Sequence, residues 1–331
     1  MKSLAQVQIW ASVPLQSEAL ELLQSVASVM MSRLGDGSAW YEEAAGTDII
    51  MVRGSTFVTG EVMDRLGPHL RLIARTGIGI DRIDLDAATQ RGIMVINTPD
   101  GPTESTAEHA IALLMNLCKR VMVGDRRLRT GQPFPALAEI PPGLEVAGAT
   151  LGLVGLGRIG SRVAPIARAL GMQVLAYDPF IDPQRAQALN VELLPSLEAL
   201  LPRAQVVSLH CPAMPQTYHI INAETLKLMP RGSYLINVAR GTLVDHDALL
   251  DALRSGHLAG AGLDVFDPEP PAANHPLFSQ PNTICTPHIG SYTTAGLLRM
   301  QMMACEQIMS VLREERPVNL VNAEVWEQRR S

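Results

Sequence analysis

The chain has 331 residues and a formal net charge of -6, with 47% hydrophobic and 18% charged residues. This length predicts two domains of about 150 residues each, and the composition excludes an intrinsically disordered chain. A net negative charge disfavours a nucleic-acid partner, because binding a phosphate backbone requires positive charge. The 4 cysteines are far apart and form no Cys-x-x-Cys pair. We therefore expect neither a metal site nor a disulfide framework.

No segment of the sequence has the character of a membrane anchor. Glutamines interrupt the apolar run near the N-terminus, so a signal peptide is not predicted. The most apolar segment, "AIALLMNLC" from Ala110, is far shorter than the ~20 residues that a membrane-spanning helix requires. We expect a cytoplasmic protein with no membrane partner.

The first hundred residues have the pattern of a small α/β unit. A helix is predicted over 17–30, with Ser17 as its N-cap, and a shorter one before Gly92 over 84–91. Short apolar runs predict strands between and around them, over 7–12, 48–54, 70–76 and 93–97.

A long helical pattern runs from Thr103 to about Arg129, interrupted only by Gly124. The connector "GQPFPALAEIPPG" at 131–143, which contains Phe134, is too rich in proline for regular structure. Short apolar strands then alternate with helices, which predicts a parallel sheet covered on both faces. The predicted strands are 151–154, 173–178, 206–210, 233–238, 260–265 and 283–287.

A last helix, rich in Met and Leu, is predicted over 294–313. No strand follows it, so we expect this helix to pack on the first α/β unit. The pattern as a whole predicts an α/β fold with two Rossmann-like domains and parallel sheets, one of them inserted in the other.

The stretch "LVGLGRIG" at 153–160 has glycines in the spacing G-x-G-x-x-G between a predicted strand and a predicted helix. Glycine permits the tight turn, the approach of a pyrophosphate and close helix packing at these three positions. The turn therefore predicts a dinucleotide site. Its candidate contacts are Gly155, Gly157, Arg158, Ile159 and Gly160.

Asp178 ends the next predicted strand, 23 residues after the first glycine. A carboxylate there accepts hydrogen bonds from the ribose hydroxyls and repels a 2′-phosphate. The sequence therefore predicts NAD as cofactor, with NADH preferred over NADPH.

Three further stretches follow predicted strand ends, where ligands bind in open parallel sheets. They are "NVARGTLVDHDAL" with Arg240, "GLDVFDPEPP" with Glu269 and "TPHIGSYT" with His288. Together with the glycine turn, "IARTGIGIDRIDLDAA" and "TAEHAIALLM", they resemble the D-isomer-specific 2-hydroxyacid dehydrogenase family. The resemblance covers nearly the whole chain.

The resemblance implies a catalytic role for one residue in each of these three stretches. Arg240 binds the carboxylate and carbonyl of the substrate, His288 is the general acid and base, and Glu269 holds the imidazole. These residue types suit the chemistry, because a guanidinium can bind a 2-oxo acid bidentately. A histidine can exchange a proton near neutral pH.

The resemblance also implies secondary cofactor contacts, although each of these residues is equally compatible with a structural role in a loop. They are His210, Pro212 and Thr217 at the adenine and ribose end, Val238, Ala239 and Asp264 near the nicotinamide, and also Thr106 and Gly290.

The same resemblance implies that residues 1–101 and 292–331 form the substrate domain and residues 102–291 the NAD-binding domain. The loop of Gly77, Ile78 and Gly79 can direct backbone N–H groups towards a carboxylate. Arg53 is expected to reach the distal part of the substrate, although Arg53 and Arg75 are also compatible with structural ion pairs.

The function that these features predict is hydride transfer between NAD and the C2 atom of a small D-2-hydroxy acid or 2-oxo acid. Glyoxylate, hydroxypyruvate and phosphohydroxypyruvate are the candidate oxo acids. The alternatives are a formate or phosphite dehydrogenase, against which Glu269 argues, and an NAD-sensing corepressor-like protein. A homodimer formed through the helix near 103–130 and the cofactor domain is expected from the resemblance.

Overall fold

A computed structural model describes residues 7–33, 39–131 and 142–330. Most of the proline-rich connector, including Phe134, lies outside the described residues. The chain divides into two compact units. Unit 1 contains the described residues up to Pro102 and those from Tyr292 onward, whereas unit 2 is Thr103–Ser291.

Each unit is built on a parallel sheet, and this confirms the predicted fold class. The strands of unit 1 are β1 Gln8–Ala11, β2 Ser28–Met31, β3 Ile49–Val52, β4 Leu72–Arg75 and β5 Met94–Asn97, in the order β2-β1-β3-β4-β5. The strands of unit 2 are β6 Thr150–Val154, β7 Gln173–Tyr177, β8 Glu192–Leu193, β9 Val206–Leu209, β10 Ser233–Asn237, β11 Leu258–Leu263 and β12 Thr283–Cys285, in the order β12-β11-β10-β9-β6-β7-β8.

The helices cover the two faces of these sheets. Those of unit 1 are α1 Ser17–Gln24, α2 Trp40–Glu43, α3 Gly60–Leu66, α4 Leu85–Gln90 and α12 Thr294–Leu312. Those of unit 2 are α5 Thr103–Lys119, α6 Val121–Arg129, α7 Arg158–Ala169, α8 Pro183–Ala188, α9 Leu197–Leu200, α10 Ala223–Leu228 and α11 His246–Arg254. β3, β9 and β10 are buried along their whole length, as expected for central strands of a sheet covered on both faces.

The prediction of a helix over 17–30 is wrong in its second half. Helix α1 ends at Gln24, and Ser28–Met31 instead forms the edge strand β2, which pairs with β1. Pairing with a distant strand overrides a helical pattern here. The N-cap is Gln16 rather than Ser17, whose hydroxyl donates to the Glu18 carboxylate.

The single helix predicted over 103–129 is two helices, and the break is at Arg120 rather than at Gly124. Arg120 has a left-handed backbone with φ of 54°. The Cys118 carbonyl at the end of α5 accepts a hydrogen bond from the N–H of Leu144, and Gly143 packs directly on it. A later segment therefore takes the carbonyl that would have continued the helix.

Helix α12 returns to unit 1, where it packs against α1 and shares its core. Its buried residues Ala304, Cys305 and Ile308 lie in the same cluster as residues of β1 and β3. Two glutamines of α12 bind main chain of this unit: Gln301 accepts a hydrogen bond from the N–H of Gln16, and Gln307 donates one to the Asn97 carbonyl. Across the ranges that the structure describes, no helix has both the length and the apolarity needed to cross a membrane.

Asn322 fixes the C-terminal segment of the chain to β5. Its side chain is buried, accepts a hydrogen bond from the N–H of Val95 at 2.9 Å, and donates to the Ile93 carbonyl and the Thr89 hydroxyl at 2.9 and 3.0 Å. These contacts satisfy main-chain groups that strand pairing leaves free.

We expect Asn322→Ala to lower the free energy of unfolding by about 3 kcal/mol, because it leaves buried main-chain groups without partners. Urea unfolding of the variant measures this loss. Asn274→Ala, at an exposed asparagine, is the matched control and should change stability little. Equal stability of the two variants would contradict this role of Asn322.

Candidate active site

The glycine turn follows β6 and begins α7, and two of its glycines are fixed by close backbone contacts. Gly155 has φ of 97°, and a Cβ atom there would lie 2.8 Å from the main chain of His210. A Cβ atom at Gly160 would lie 2.3 Å from the Gly155 carbonyl oxygen. At Gly157, the N-cap of α7, the space is open. The turn thus keeps its free space where a pyrophosphate would approach the backbone.

Arg158 and Ile159 form the first turn of α7. Asp178, directly after β7, lies against the same glycine turn. Its carboxylate accepts hydrogen bonds from the N–H of Leu156 at 2.8 Å and from the N–H of Phe180 at 3.0 Å. These bonds orient the carboxylate at the end of the strand, and each oxygen retains a lone pair for a further donor.

The residues after β9 form the next part of this edge. The Nε2 atom of His210 lies 2.9 Å from the Ser208 hydroxyl, and its buried Nδ1 atom has no partner among the described residues. Burial lowers the pKa of His210 to about 3. The Thr217 hydroxyl binds the Pro212 carbonyl at 2.8 Å, which closes the following loop. His210 is therefore a neutral donor or acceptor beside the glycine turn.

Arg240 follows β10 in a turn that Asn237 organises. The Asn237 side chain, which also accepts from the N–H of Ala239, donates to the Arg240 carbonyl at 2.7 Å. The guanidinium of Arg240 donates to the Ala239 carbonyl at 2.6 Å, and Val238 is buried. A Cβ atom at Gly241 would lie 2.0 Å from the Phe266 carbonyl oxygen. The turn of Arg240 therefore packs directly on the segment that leads to Glu269.

His288 and Glu269 form a direct pair. The Nδ1 atom of His288 lies 2.6 Å from the Oε1 atom of Glu269, and the two side chains are 41% and 27% exposed. A carboxylate on Nδ1 fixes the orientation of the ring. The opposite nitrogen, Nε2, takes no part in this pair.

His288 has a left-handed backbone with φ of 53°, which is unfavourable for a residue with a side chain. Asp264 holds this loop in place. Its buried carboxylate accepts from the N–H of Ile289 at 2.9 Å and of Gly290 at 2.8 Å, and its carbonyl accepts from the N–H of His288. A Cβ atom at Gly290 would lie 2.9 Å from this carboxylate, and 3.6 Å from the Thr106 methyl group.

The loop of Gly77, Ile78 and Gly79 lies in unit 1, after β4. Arg75 fixes it by donating to the Gly79 carbonyl at 2.8 Å and to the Thr76 carbonyl. The N–H of Gly77 is occupied by the Thr98 hydroxyl at 2.7 Å. Within the described residues, the N–H groups of Ile78 and Gly79 make no hydrogen bond.

Arg53 follows β3 in unit 1 and is exposed. Its Nε atom donates to the Ser55 hydroxyl at 3.0 Å, and its N–H donates to the Ser12 hydroxyl. Arg82 donates to the Ser55 carbonyl at 3.1 Å and stacks on Phe57. Both arginines thus flank the same serine.

The structure brings the predicted residues of unit 2 into two groups along one edge of its sheet. The glycine turn, Asp178 and His210 form the first. The second contains the turn of Arg240, the pair of Glu269 and His288, and the Asp264 carboxylate with the residues that it binds, Ile289 and Gly290. Sequence reasoning missed His109 and Thr286, which contact Asp264. Among the described residues, no three His, Cys, Asp or Glu side chains form a group that could hold a metal ion.

A doubly wound parallel sheet with a glycine turn at the start of a helix defines unit 2 as an α/β dinucleotide-binding domain. Residues 111–290 match the sequence profile of the NAD-binding domain of D-isomer specific 2-hydroxyacid dehydrogenases. The chain belongs to this family.

Relatives of this chain include two enzymes of this family. D-3-phosphoglycerate dehydrogenase of Methanocaldococcus jannaschii is 37% identical over 316 residues, which are 96% of this chain but 59% of that protein. Glyoxylate reductase of Korarchaeum cryptofilum is 44% identical over 264 residues, 78% of each chain. The chain therefore spans about three fifths of the length of the first relative.

The crystal structure of the TT0316 protein from Thermus thermophilus is similar over 95% of this chain and 100% of that one. The identity is 40% and the TM-score 0.86. The likeness therefore extends over both units of the fold.

The lowered pKa of His210 predicts that stability falls in acid. The unfolded chain binds a proton below the ordinary pKa of 6.5, whereas the folded protein does not until about pH 3. The contribution of His210 to the free energy of unfolding is therefore fully present above pH 6.5. It declines as the pH falls below this value, by up to roughly 2 kcal/mol at pH 5.

Urea unfolding at about pH 7 and pH 5 measures this decline. His210→Gln keeps a group in reach of Ser208 but cannot titrate, so the variant should lose up to roughly 2 kcal/mol less than the wild type over this interval. An equal loss in both proteins would show that His210 is not the group responsible.

Proposed function

We propose that this protein is an NAD-dependent oxidoreductase that reduces a small 2-oxo acid to the D-2-hydroxy acid, or catalyses the reverse reaction. The observation that carries the proposal is the pair of His288 and Glu269 beside the turn of Arg240, at the edge of an NAD-binding domain. The named relatives, a phosphoglycerate dehydrogenase and a glyoxylate reductase, support the same class of substrate.

Arg240 binds and polarises the substrate in this proposal. Its guanidinium is a planar fork of N–H donors, and such a fork can bind the carboxylate and the carbonyl oxygen of a 2-oxo acid together. Positive charge beside the carbonyl oxygen stabilises the negative charge that develops there during hydride addition.

His288 supplies the proton that the carbonyl oxygen requires. With Glu269 on Nδ1, Nε2 is the atom that donates in reduction and accepts in oxidation. The carboxylate also stabilises the charged imidazole in the oxidative direction. Formate oxidation leaves no alkoxide to exchange a proton, so this histidine and carboxylate pair favours the 2-hydroxy acid.

The residues around the glycine turn fit NAD. When bound, the cofactor supplies or accepts the hydride. Gly157 leaves open backbone space at the start of α7, and the Nδ1 atom of His210, which has no partner within the described ranges, lies beside the turn. We assign the remaining contacts of the cofactor to Arg158, Ile159, Gly155, Gly160, Pro212, Thr217, Val238, Ala239, Thr106, Asp264 and Gly290.

Asp178 is the basis for a preference for NADH over NADPH. Its carboxylate is oriented by Leu156 and Phe180, and a fixed negative charge at this position repels a 2′-phosphate while it accepts from ribose hydroxyls.

Unit 1 contributes substrate binding in the proposal. The N–H groups of Ile78 and Gly79 are the donors for a carboxylate, because the N–H of Gly77 is bound to Thr98. Gly77 allows the loop to turn, because its backbone has φ of 140°, a conformation that residues with a side chain rarely adopt. Arg53 is the candidate for contact with a distal phosphate or hydroxyl group of the substrate.

A homodimer formed through the region of α5 and α6 is part of the same proposal. The apolar side chains of Val121, Met122 and Leu128 on α6 are 54%, 40% and 57% exposed. Exposed apolar residues that lie together are typical of a surface that another chain covers.

The reaction is tested by following NADH oxidation with glyoxylate, hydroxypyruvate and phosphohydroxypyruvate. We expect turnover of at least one oxo acid. His288→Asn should lower kcat by roughly a thousandfold because the proton donor is lost. His257→Asn, whose wild-type imidazole binds the Leu226 carbonyl elsewhere in unit 2, is the control and should retain activity.

Full activity of His288→Asn would contradict the assigned role. Formate or phosphite oxidation without any reduction of oxo acids would favour the alternative dehydrogenase, and NADH binding without turnover would favour an NAD-sensing protein.

The cofactor preference is tested by Asp178→Asn, which removes the charge and keeps one acceptor. We expect the ratio of kcat/KM with NADH to that with NADPH to fall by roughly tenfold, which corresponds to about 1.4 kcal/mol of lost discrimination. Asp182→Asn, at an exposed position soon after Asp178, should leave the ratio unchanged. An unchanged ratio in Asp178→Asn would contradict the assignment.

A further inference from the structure

His109 lies on α5 and reaches the loop that carries His288. Its Nε2 atom is 3.1 Å from the Thr286 hydroxyl and 3.4 Å from the Asp264 carboxylate. The imidazole is 18% exposed. Helix α5 lies outside the three stretches that contain Arg240, Glu269 and His288. The histidine thus connects a helix to the segment 286–290.

The direction of these hydrogen bonds follows from Asp264. Burial raises the pKa of this carboxyl, but hydrogen bonds from His109, Thr286 and Ile289 outweigh burial and hold it below the ordinary value. At neutral pH the group is a carboxylate that only accepts, so the Thr286 hydroxyl donates to it at 2.6 Å. The hydroxyl has one hydrogen and must accept from His109, whose Nε2 atom therefore carries the proton.

The hydrogen bonds that lead from Nε2 of His109 through the Thr286 hydroxyl end on the Asp264 carboxylate, which also binds the main chain next to His288. The same carboxylate accepts from the N–H groups of Ile289 and Gly290, and the Asp264 carbonyl accepts from the N–H of His288. A left-handed residue persists only where its surroundings hold it firmly. His288, with φ of 53°, is such a residue, and this network surrounds it.

We infer that His109 is a positioning residue: through Thr286 and Asp264 it holds His288 in the orientation that pairs its Nδ1 atom with Glu269. The inference rests on the proposed function for the identity of the reacting group. His109 itself does not touch the substrate in this account. It acts on the rate through the geometry of the loop, and not on the binding of either reactant.

The test compares His109→Leu, which removes the donor, with His109→Gln, whose amide nitrogen can occupy the position of Nε2. We expect His109→Leu to lower kcat by roughly tenfold, with KM for NADH and for the oxo acid changed less than about twofold. His109→Gln should restore kcat to within about threefold of the wild type. His257→Leu is the control and should keep full activity.

Nitrogen-15 NMR of the imidazoles, without substrate or cofactor, gives a readout that does not depend on activity. In the wild type and in His109→Gln, neutral His288 should be a single Nδ1–H tautomer because Glu269 accepts from that atom. In His109→Leu the signals should shift towards a mixture of tautomers. His288→Asn identifies the signals.

Thr286→Val and Thr286→Ser provide a second pair in case His109→Leu does not fold. The valine should reproduce the loss of kcat and the tautomer mixture, and the serine should reproduce neither. Wild-type kcat and a single tautomer in His109→Leu or Thr286→Val, or equal losses in the leucine and glutamine variants, would overturn the inference. If the wild type turns over no oxo acid, the proposed function fails, and the NMR comparison still decides the role of His109.

Discussion

The parallel pairing of β10, β11 and β12 is the constraint on which the candidate site depends. Neighbouring parallel strands end at the same edge of a sheet, and Arg240, Glu269 and His288 each follow one of these three strands. Close backbone packing then brings the loops into contact, because only glycine at position 241 lets the turn of Arg240 rest on the main chain of Phe266. Residues far apart in the sequence thus become neighbours.

The loop that carries His288 shows how the side chain proposed for proton transfer is held on this scaffold. Its left-handed backbone is unfavourable by itself, and it is compensated by a buried carboxylate whose hydrogen bonds go to the main chain and to Thr286. Such a fixed arrangement orients the imidazole before any ligand binds. Asp264 thereby serves the geometry of the loop, and a direct contact between this residue and the cofactor stays a prediction.

Apart from β2 and the two-residue strand β8, the strands and the glycine turn could be predicted from the sequence, because each depends on a short local pattern. The edge strand Ser28–Met31 could not, because its pairing with β1 decides its structure against a local helical pattern. The break at Arg120 likewise depends on Leu144, which binds the end of α5 from a later part of the chain.

Side-chain networks were the least predictable part of the site. The stretch "TAEHAIALLM" contains His109, but nothing in the spacing of its residues relates it to Asp264 or Thr286. Likewise, nothing in the sequence pattern relates Asn322 to β5, which its side chain binds in the structure. The occupied N–H of Gly77 was also invisible in the sequence, since Thr98 reaches it only in the folded unit. Hydrogen bonds between distant segments require the tertiary fold.

The most direct measurement of the central claim is the position and configuration of the transferred hydrogen. Hydroxypyruvate is reduced with NADH in which both hydrogens on the reactive carbon of the nicotinamide are deuterium, and the product is analysed by NMR and chiral separation. We expect D-glycerate with deuterium at C2. The L isomer, deuterium absent from C2, or no reduction of hydroxypyruvate or of any other 2-oxo acid would contradict it.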